Sequence, residues 1–353
     1  MLKIKDFMIN IGISIGIILI FALLILVSMR FGFINGNAIK IGFENKIKNS
    51  EQNYVDNYEF SYTYQLNSNG FRDDEFLKSK PNGTIRLFLI GDSFVFGSGV
   101  DQNSTIDKFI ELECQKRGNI CEVYNLGIPA AALNTCDYIS QEFTDFSPDA
   151  VIISFYVDND IMNTDTLRSL GNITSFGTPL KDDNIEIQDF IEKSNISSFY
   201  KHLAKVSKIN PWLVIRAVNT GDNQEYYNYL TNLFEEDPAV KNYLINIRQT
   251  YKDVPFLILI NPSKYQVNTK PFGELKKLGF VFNQEKVVDR EVQDAIIRWA
   301  NEENITYVDI LPYMYGPDDS YFYKIDDHYT KKGNSLVAKI VYNKLCEMNI
   351  GLK

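Results

Sequence analysis

Five short, mostly apolar runs are the feature that most constrains the fold of this chain. They are five to eight residues long and rich in Val, Ile, Leu and Phe. They cover residues 85–90, 122–126, 150–157, 255–260 and 306–311. Runs of this length and composition are typical of strands that are covered on both faces, as in a parallel sheet. We therefore expect five strands in one mainly parallel sheet.

Longer segments with helical spacing separate these runs. Residues 104–118 place Ile106, Phe109 and Ile110 along one side of a helix, and similar spacing recurs at 287–299 and 336–345. Short buried strands that alternate with amphipathic helices indicate βαβ units. The sequence thus predicts an α/β domain over residues 84–350, built as a three-layer αβα sandwich around the sheet.

Two other segments do not fit this alternation. Residues 161–250 are too many for an ordinary loop and carry helix-like aromatic patterns at 198–208 and 225–234, so we expect a helical insertion beside the carboxyl edge of the sheet. Residues 30–83 are polar and rich in Asn, Tyr and Lys. They are predicted to form a linker and approach segment ahead of the domain.

The amino-terminal region contains an uninterrupted apolar stretch. Residues 7–29 hold no charged side chain, and a helix of about 20 residues spans the ~30 Å hydrocarbon core of a bilayer. The stretch is longer than the apolar region of a secretory signal, and no small-x-small cleavage site follows it. We expect a six-residue tail, residues 1–6, followed by one uncleaved transmembrane anchor over 7–29.

The overall charge and the cysteine and histidine content exclude several classes of function. A net charge of −9 and a pI near 5.0 argue against nucleic acid as a partner, since phosphate binding requires clustered Lys and Arg. The chain has four cysteines without CxxC spacing and only two histidines, which argues against a metal site. No cofactor motif is apparent. Cys114 and Cys121 are close enough in sequence to pair in an oxidising compartment, and reduced thiols are an equal alternative.

A serine follows the first predicted strand directly. In the segment 91–97 (Gly-Asp-Ser-Phe-Val-Phe-Gly), Ser93 stands at the carboxyl end of that strand, where open α/β sheets place their ligands. Gly91 and Gly97 allow the backbone to turn sharply on either side. Ser93 is therefore a candidate nucleophile.

A serine hydroxyl needs a base that takes its proton and a third group that orients the base. The only histidines are His202 and His328. His202 lies in a polar helical pattern typical of a protein surface. His328 follows Asp326 and Asp327 on a loop between the last strand and the last helix, which is the same edge of the sheet as Ser93. We predict His328 as the base, with one of the two aspartates as its partner.

Acyl transfer also needs hydrogen-bond donors for the oxyanion. Two loops that follow the second and third strands supply candidates: Gly127 through its backbone N–H and Asn159 through its side-chain amide. A turn and a helix cap are the ordinary interpretations of these two residues.

The four segments, in this order, resemble the conserved blocks of the SGNH/GDSL hydrolase superfamily over about residues 84–348. The resemblance implies a flavodoxin-like SGNH fold and assigns Ser93 as nucleophile and first oxyanion amide, with Gly127 and Asn159 as the other oxyanion donors. It assigns His328 as base. The chain departs from the usual family pattern where Val157 replaces a glycine, and where Ile325 stands at the position of the acid in the usual Asp-x-x-His spacing. Some branches of the family carry Asp-x-His instead, and a residue adjacent to the histidine would point away from its ring, so Asp326 is favoured over Asp327 as the acid.

The resemblance also implies a function and a location. We expect a serine esterase that acts on acyl esters, in particular O-acetyl esters of cell-surface glycans, with the catalytic domain outside the cytoplasm. The segment 67–72 (Asn-Ser-Asn-Gly-Phe-Arg) looks like that of anchored microbial proteins associated with surface polysaccharides. One alternative is an O-acetyltransferase that passes the acyl group from Ser93 to a sugar, supplied by a membrane-bound O-acyltransferase partner. Another is a non-catalytic glycan-binding protein.

Overall fold

A computed structural model describes residues 53–56, 59–129, 131–158, 160–161, 223–271, 273, 287–316, 320–324 and 326–352. Two strands, β1 (Asn53–Asp56) and β2 (Ser61–Tyr64), pair as an antiparallel hairpin. Five further strands form one parallel sheet in the order β4-β3-β5-β6-β7. These are β3 (Ile85–Gly91), β4 (Cys121–Gly127), β5 (Ala150–Tyr156), β6 (Phe256–Asn261) and β7 (Thr306–Asp309). The predicted five-stranded parallel sheet is confirmed.

Helices follow the strands in the alternation that the sequence predicts. They are α1 (Ser93–Phe96), α2 (Ile106–Lys116), α3 (Leu133–Glu142), α4 (Asn223–Glu236), α5 (Pro238–Thr250), α6 (Lys264–Val267), α7 (Glu291–Glu302), α8 (Leu311–Met314) and α9 (Lys331–Glu347). Helices α4 and α5 are the described part of the predicted insertion over 161–250. Residues 162–222, which include His202, lie outside the described residues.

Both faces of the sheet are covered by helices, which makes the domain a three-layer αβα sandwich. Leu87 and Leu89 of β3 belong to an apolar cluster that also holds side chains of α2 and α9. The alternate residue Phe88 points to the other face, where its ring lies 6.5 Å from Phe143 and 5.9 Å from Tyr251. Since successive side chains of a strand point to opposite faces, a strand covered on both sides must be apolar throughout.

The strand order places a crevice at one edge of the sheet. Strand β4 lies on one side of β3, and β5 lies on the other side. The direction in which the chain is wound across the sheet therefore reverses at β3. In open parallel sheets, ligands bind beyond the carboxyl ends of the strands where the direction of winding reverses. In this domain that position lies between the ends of β3 and β5.

The domain begins earlier than the sequence pattern indicates. Residues 51–67 and 71–353 belong to one compact unit, although the linker was expected to extend to residue 83. Within the described part of this segment, Tyr62 and Arg72 are almost fully buried, and Thr63 N–H donates to Asp101. The polar composition of this segment led to the prediction of a linker, but its polar side chains form hydrogen bonds with the rest of the domain.

The structure bridges Cys114 to Cys121 with a disulfide, with their Cα atoms 6.0 Å apart. The bond joins the last turn of α2 to the first residue of β4. Of the two alternatives that the sequence allowed, a disulfide or reduced thiols, the structure has the disulfide. Cys136 and Cys346 are not part of a disulfide.

The predicted transmembrane anchor, residues 7–29, lies outside the described residues. Within the part of the chain that the structure describes, no helix combines the length and apolarity needed to cross a bilayer.

Substituting Gly127 tests the packing at the end of β4. A Cβ atom there would meet the backbone of α1 inside van der Waals contact, at 2.7 Å from the carbonyl carbon of Val95. We expect Gly127→Ala to lower the free energy of unfolding by about 1–3 kcal/mol, the usual cost of overpacking, measured by urea denaturation. Gly273→Ala is the control, since a Cβ atom there meets nothing within 4 Å. Equal stability of the two variants would contradict the packing argument.

Candidate active site

Ser93 lies on a sharp turn between β3 and the one-turn helix α1. Asp92 precedes the helix as its N-cap, and Asp92 Oδ1 accepts a hydrogen bond of 2.9 Å from Phe94 N–H. Gly97 ends the helix in the left-handed conformation, with φ of 78°. A helix this short can end so abruptly because glycine adopts positive φ without steric cost. Ser93 is thereby held at the carboxyl edge of the sheet.

His328 connects Ser93 to Asp326. His328 Nε2 lies 2.7 Å from Ser93 Oγ, and His328 Nδ1 lies 2.5 Å from Asp326 Oδ1. The same carboxylate oxygen accepts the backbone N–H of His328 at 2.9 Å. With Nδ1 donating to the carboxylate, the neutral ring leaves Nε2 free to accept the serine proton. The structure therefore brings the three residues predicted from sequence into one continuous hydrogen-bonded chain.

Opposite charges and burial set the pKa values of this group. Burial acts to raise the pKa of Asp326, but the neighbouring His328 and the hydrogen bonds that it donates hold that pKa below its usual value. Burial acts to lower the pKa of His328, while the Asp326 carboxylate and, more weakly, Asp92 raise it above its ordinary 6.5. Burial raises the pKa of Asp92 itself to about 6, opposed by the hydrogen bond from Phe94 N–H.

The two adjacent aspartates have different partners. Asp326 faces His328, whereas Asp327 forms an ion pair of 3.0 Å with Lys264, a side chain that is only 2% exposed. Lys264 Nζ also donates to the carbonyl oxygen of Asp326 at 3.3 Å. The structure thus gives the two aspartates different partners: Asp326, the residue favoured from the sequence, contacts His328, and Asp327 pairs with a buried cation beneath the same loop.

Aromatic packing holds the histidine loop against the serine turn. The ring of Phe94 lies 4.8 Å from Tyr329, 4.4 Å from Tyr156 and 5.3 Å from the His328 ring. The hydroxyl of Tyr329 donates to Asn261 Oδ1 at the end of β6. The residues that directly follow Ser93 and His328 are therefore packed together, which limits the relative movement of the two loops.

The predicted oxyanion donors have three different outcomes. Ser93 is the first residue of α1, so its N–H has no acceptor within the helix and remains a candidate donor. The structure differs from the prediction at Gly127, whose N–H is donated to Asn125 Oδ1 at 3.1 Å. Glycine is needed there for close contact with the backbone of α1. Asn159 lies outside the described residues, and its role stays a prediction.

Several residues near the site were missed from the sequence. Lys264 begins α6 in a capping box formed by Ser263 and Gln266, a pattern that is visible in the sequence but does not indicate a partner. Glu59 accepts a hydrogen bond from the backbone N–H of Asp326, and Arg72 binds carbonyl groups at the end of α1. Nothing local to Glu59 or Arg72 signals these contacts.

This arrangement is suited to nucleophilic chemistry at a carbonyl carbon. A serine hydroxyl, a base in hydrogen-bond contact and an acid that orients the base together form an acyl-transfer site. Among the described residues, no group of three or more His, Cys, Asp or Glu side chains is placed to hold a metal ion.

Comparison with known proteins gives matches among solved structures only. No protein-family model and no curated protein matches the chain. A lipase/acylhydrolase from Enterococcus faecalis is 12% identical, with a TM-score of 0.41, over 76% of this chain and 97% of that one. A G-D-S-L family lipolytic protein from Desulfitobacterium hafniense is 13% identical, with a TM-score of 0.37, over 73% and 98%. A family 3 carbohydrate esterase from Clostridium thermocellum is 11% identical, with a TM-score of 0.36, over 75% and 96%. Similarity this low does not identify the activity of the chain.

Replacing each aspartate separately tests their roles. Asp326→Asn removes the carboxylate that orients and charges His328, and we expect kcat to fall by about 10⁴-fold, measured by ester hydrolysis. Asp327→Asn is the matched control, since it leaves Asp326 in place but weakens the compensation of buried Lys264. It should lower the melting temperature and change kcat far less. A larger loss of kcat in Asp327→Asn would reverse the assignment.

The pH profile tests the charge on the base. His328 must be deprotonated to accept the serine proton, and its pKa is raised above 6.5. We therefore expect kcat/KM to fall as the pH drops through a midpoint above 6.5. In Asp326→Asn, the charge that raises the pKa is absent, so the residual activity should show this midpoint at lower pH. A midpoint that does not move would show that another group titrates.

Proposed function

We propose that the protein is a serine ester hydrolase of the SGNH type, with Ser93 as nucleophile, His328 as general base and acid, and Asp326 as the orienting carboxylate. The observation that carries the proposal is the hydrogen-bonded chain from Ser93 Oγ through the His328 ring to Asp326, with distances of 2.7 Å and 2.5 Å. Ser93 and His328 are 235 positions apart in sequence, and Asp326 lies on the same loop as His328.

The reaction proceeds in two halves. Ser93 Oγ attacks the ester carbonyl carbon while its proton passes to His328 Nε2, and the carbonyl oxygen becomes an oxyanion that the N–H of Ser93 can bind. The imidazolium then donates this proton to the departing alcohol oxygen, which leaves an acyl group on Ser93. Water attacks the acyl carbon and gives its proton to His328, and the collapse of this intermediate returns the proton to Ser93 and releases the acid.

Asp326 acts through charge and orientation. Its carboxylate keeps the proton of neutral His328 on Nδ1 and stabilises the imidazolium that forms during attack. The low pKa of Asp326 means that it remains ionised when the imidazolium is present. The negative charge of Asp92 also raises the pKa of His328, after the larger effect of Asp326.

For the substrate, we propose O-acetyl esters on glycans outside the cytoplasm, with the enzyme held at the membrane by residues 7–29. Two observations support this location: the apolar stretch, which is long enough to span a bilayer, and the Cys114–Cys121 disulfide, which is typical of oxidising compartments. The sequence of residues 67–72 supports the association with surface polysaccharide.

An acyltransferase would use the same first half-reaction and differ only in the acceptor. If a sugar hydroxyl replaces water, the acyl group moves from Ser93 to the glycan. The closed serine–histidine–aspartate chain argues against the third possibility, a non-catalytic glycan-binding protein, because binding alone does not require this geometry.

Ser93→Ala should abolish hydrolysis of p-nitrophenyl acetate by the detergent-solubilised full chain. Removing the nucleophile of a serine hydrolase typically lowers kcat by about 10⁶-fold, which brings the rate to background. Ser335→Ala, at an exposed position of α9, is the matched control and should retain activity. Equal rates for wild type and Ser93→Ala would refute the proposed function.

The acceptor can be identified in the same assay. Free acetate and acetylated sugar are measured with and without an oligosaccharide acceptor. A hydrolase releases acetate at a rate that does not depend on the sugar. A transferase acetylates the sugar at the expense of acetate release.

A further inference from the structure

Arg72 contacts the end of the helix that carries Ser93. Its side chain is buried, with 1% exposure. One guanidinium nitrogen, Nη1, donates to the carbonyl oxygens of Phe96 at 3.0 Å and Gly97 at 2.6 Å, and Nη2 donates to that of Val100 at 2.5 Å. Three carbonyl groups within five residues are therefore held by one side chain.

The guanidinium group lies among aromatic rings. Its central carbon lies 5.0 Å from the ring centre of Tyr62, 5.5 Å from that of Tyr64 and 5.3 Å from that of Phe96. Tyr62 and Tyr64 belong to β2 of the amino-terminal hairpin. Rings at these distances stabilise a buried cation and restrict its orientation. Arg72 is thus fixed relative to both the hairpin and the serine turn.

One turn of backbone connects the carbonyl groups that Arg72 binds to Ser93. The N–H groups of Gly97 and Ser98 both donate to the Ser93 carbonyl oxygen at 3.0 Å. Helix α1 has no further turn to hold its last carbonyl groups, which remain without intrahelical donors. Arg72 supplies those donors, together with positive charge at the negative end of the helix. A shift of the guanidinium group would therefore shift the turn that sets the position of Ser93.

The same amino-terminal segment also contacts the histidine loop. Glu59 Oε2 accepts the backbone N–H of Asp326 at 2.5 Å. The ring of Phe60 lies 4.7 Å from the ring of Tyr323. The backbone N–H of Tyr323 donates to the carbonyl oxygen of His328, and its hydroxyl donates to the carbonyl oxygen of Gly99. One end of the segment contacts the acid and base loop, and the other end contacts the nucleophile turn.

We propose that Arg72 and Glu59 are positioning residues of the active site, and that the segment ahead of the sheet sets the distance between Ser93 and the His328–Asp326 pair. This inference rests on the proposed function of Ser93. It assigns a part in catalysis to a region whose sequence is typical of a linker. Neither residue touches the reacting atoms, so each acts through the backbone that it holds.

Arg86 offers a matched control for Arg72. It is also fully buried and also binds backbone carbonyl groups, with Nη1 donating to Phe146 at 2.6 Å and to Lys78 at 3.2 Å. It lies at the opposite, amino-terminal end of β3, away from Ser93. Loss of either arginine should destabilise the fold, but only Arg72 should affect the chemical step.

The experiment compares Arg72→Lys and Arg72→Met with Arg86→Lys in the full chain. For each variant we measure the melting temperature and the kcat and KM for p-nitrophenyl acetate. We also measure the rate of phosphorylation by diethyl p-nitrophenyl phosphate. In that probe reaction, Ser93 Oγ displaces p-nitrophenolate from phosphorus, and the serine proton passes to His328. Lysine keeps the charge, but its compact ammonium group does not reproduce the spacing of the donors in the planar guanidinium.

We expect Arg72→Lys to lower kcat and the phosphorylation rate by about 10- to 100-fold, the scale of loss for a displacement near 1 Å, with KM little changed. Arg72→Met should lose more. Arg86→Lys should lower the melting temperature comparably and retain the wild-type kcat. If Arg72→Lys reacts as fast as wild type, or if Arg86→Lys loses as much kcat, Arg72 is merely structural and the inference is overturned.

Glu59 is tested by a pair of variants. Glu59→Gln keeps an oxygen that can accept the Asp326 N–H and should retain most activity, whereas Glu59→Ala removes the acceptor and should lower kcat. Equal kcat values for Glu59→Ala and wild type would remove Glu59 from the proposal.

A wild-type chain that the probe does not phosphorylate at Ser93 would overturn the proposed function, and this inference with it. A reactive wild type with unaffected Arg72 variants would overturn the positioning role alone.

Discussion

The close approach of helix α1 to the ends of the central strands is the constraint on which the site depends. Gly127 at the end of β4 leaves no room for a Cβ atom against the backbone of Val95 and Phe96, and Gly91 is similarly close to Val95 and Ser154. The side chain of Asn125 reinforces this contact, since its Nδ2 donates to the carbonyl oxygen of Val95 at 2.7 Å. The turn that carries Ser93 is therefore packed closely against the ends of the strands, which restricts the movement of Ser93.

Several buried charged groups around this turn have partners of opposite charge. Asp326 is opposed by His328, and Asp327 is opposed by Lys264. Behind α1, Lys108 forms an ion pair with Asp73, while Asn125 Nδ2 donates to Asp107 Oδ1. Burial raises the pKa of Asp107 to about 8, a shift that the nearby Asp73 charge increases. Since unpaired buried charge is costly, these pairs fix the loops that carry them.

The amino-terminal segment extends this support beyond the sheet. Its polar side chains make specific contacts with backbone groups of the domain: Arg72 with the carbonyl groups that follow α1, and Glu59 with the Asp326 N–H. A domain boundary drawn at the first strand of the sheet would remove both. The site thus depends on a part of the chain that contributes no strand to the parallel sheet and no group to the chemical step.

The parallel sheet could be predicted from the sequence alone, because fully buried strands must be apolar along their whole length and the helices between them must have one apolar face. The candidate nucleophile Ser93 could also be predicted, since it lies just after a strand, and so could the candidate base His328, since the chain has only one other histidine. The three-dimensional structure was needed to find the partner of Asp327, the donation of the Gly127 N–H to Asn125, and the contacts of Arg72 and Glu59 near the site. Periodicity and spacing report how each segment is buried. Partners across space depend on contacts between residues far apart in the chain, such as Glu59 and Asp326, which no local pattern encodes.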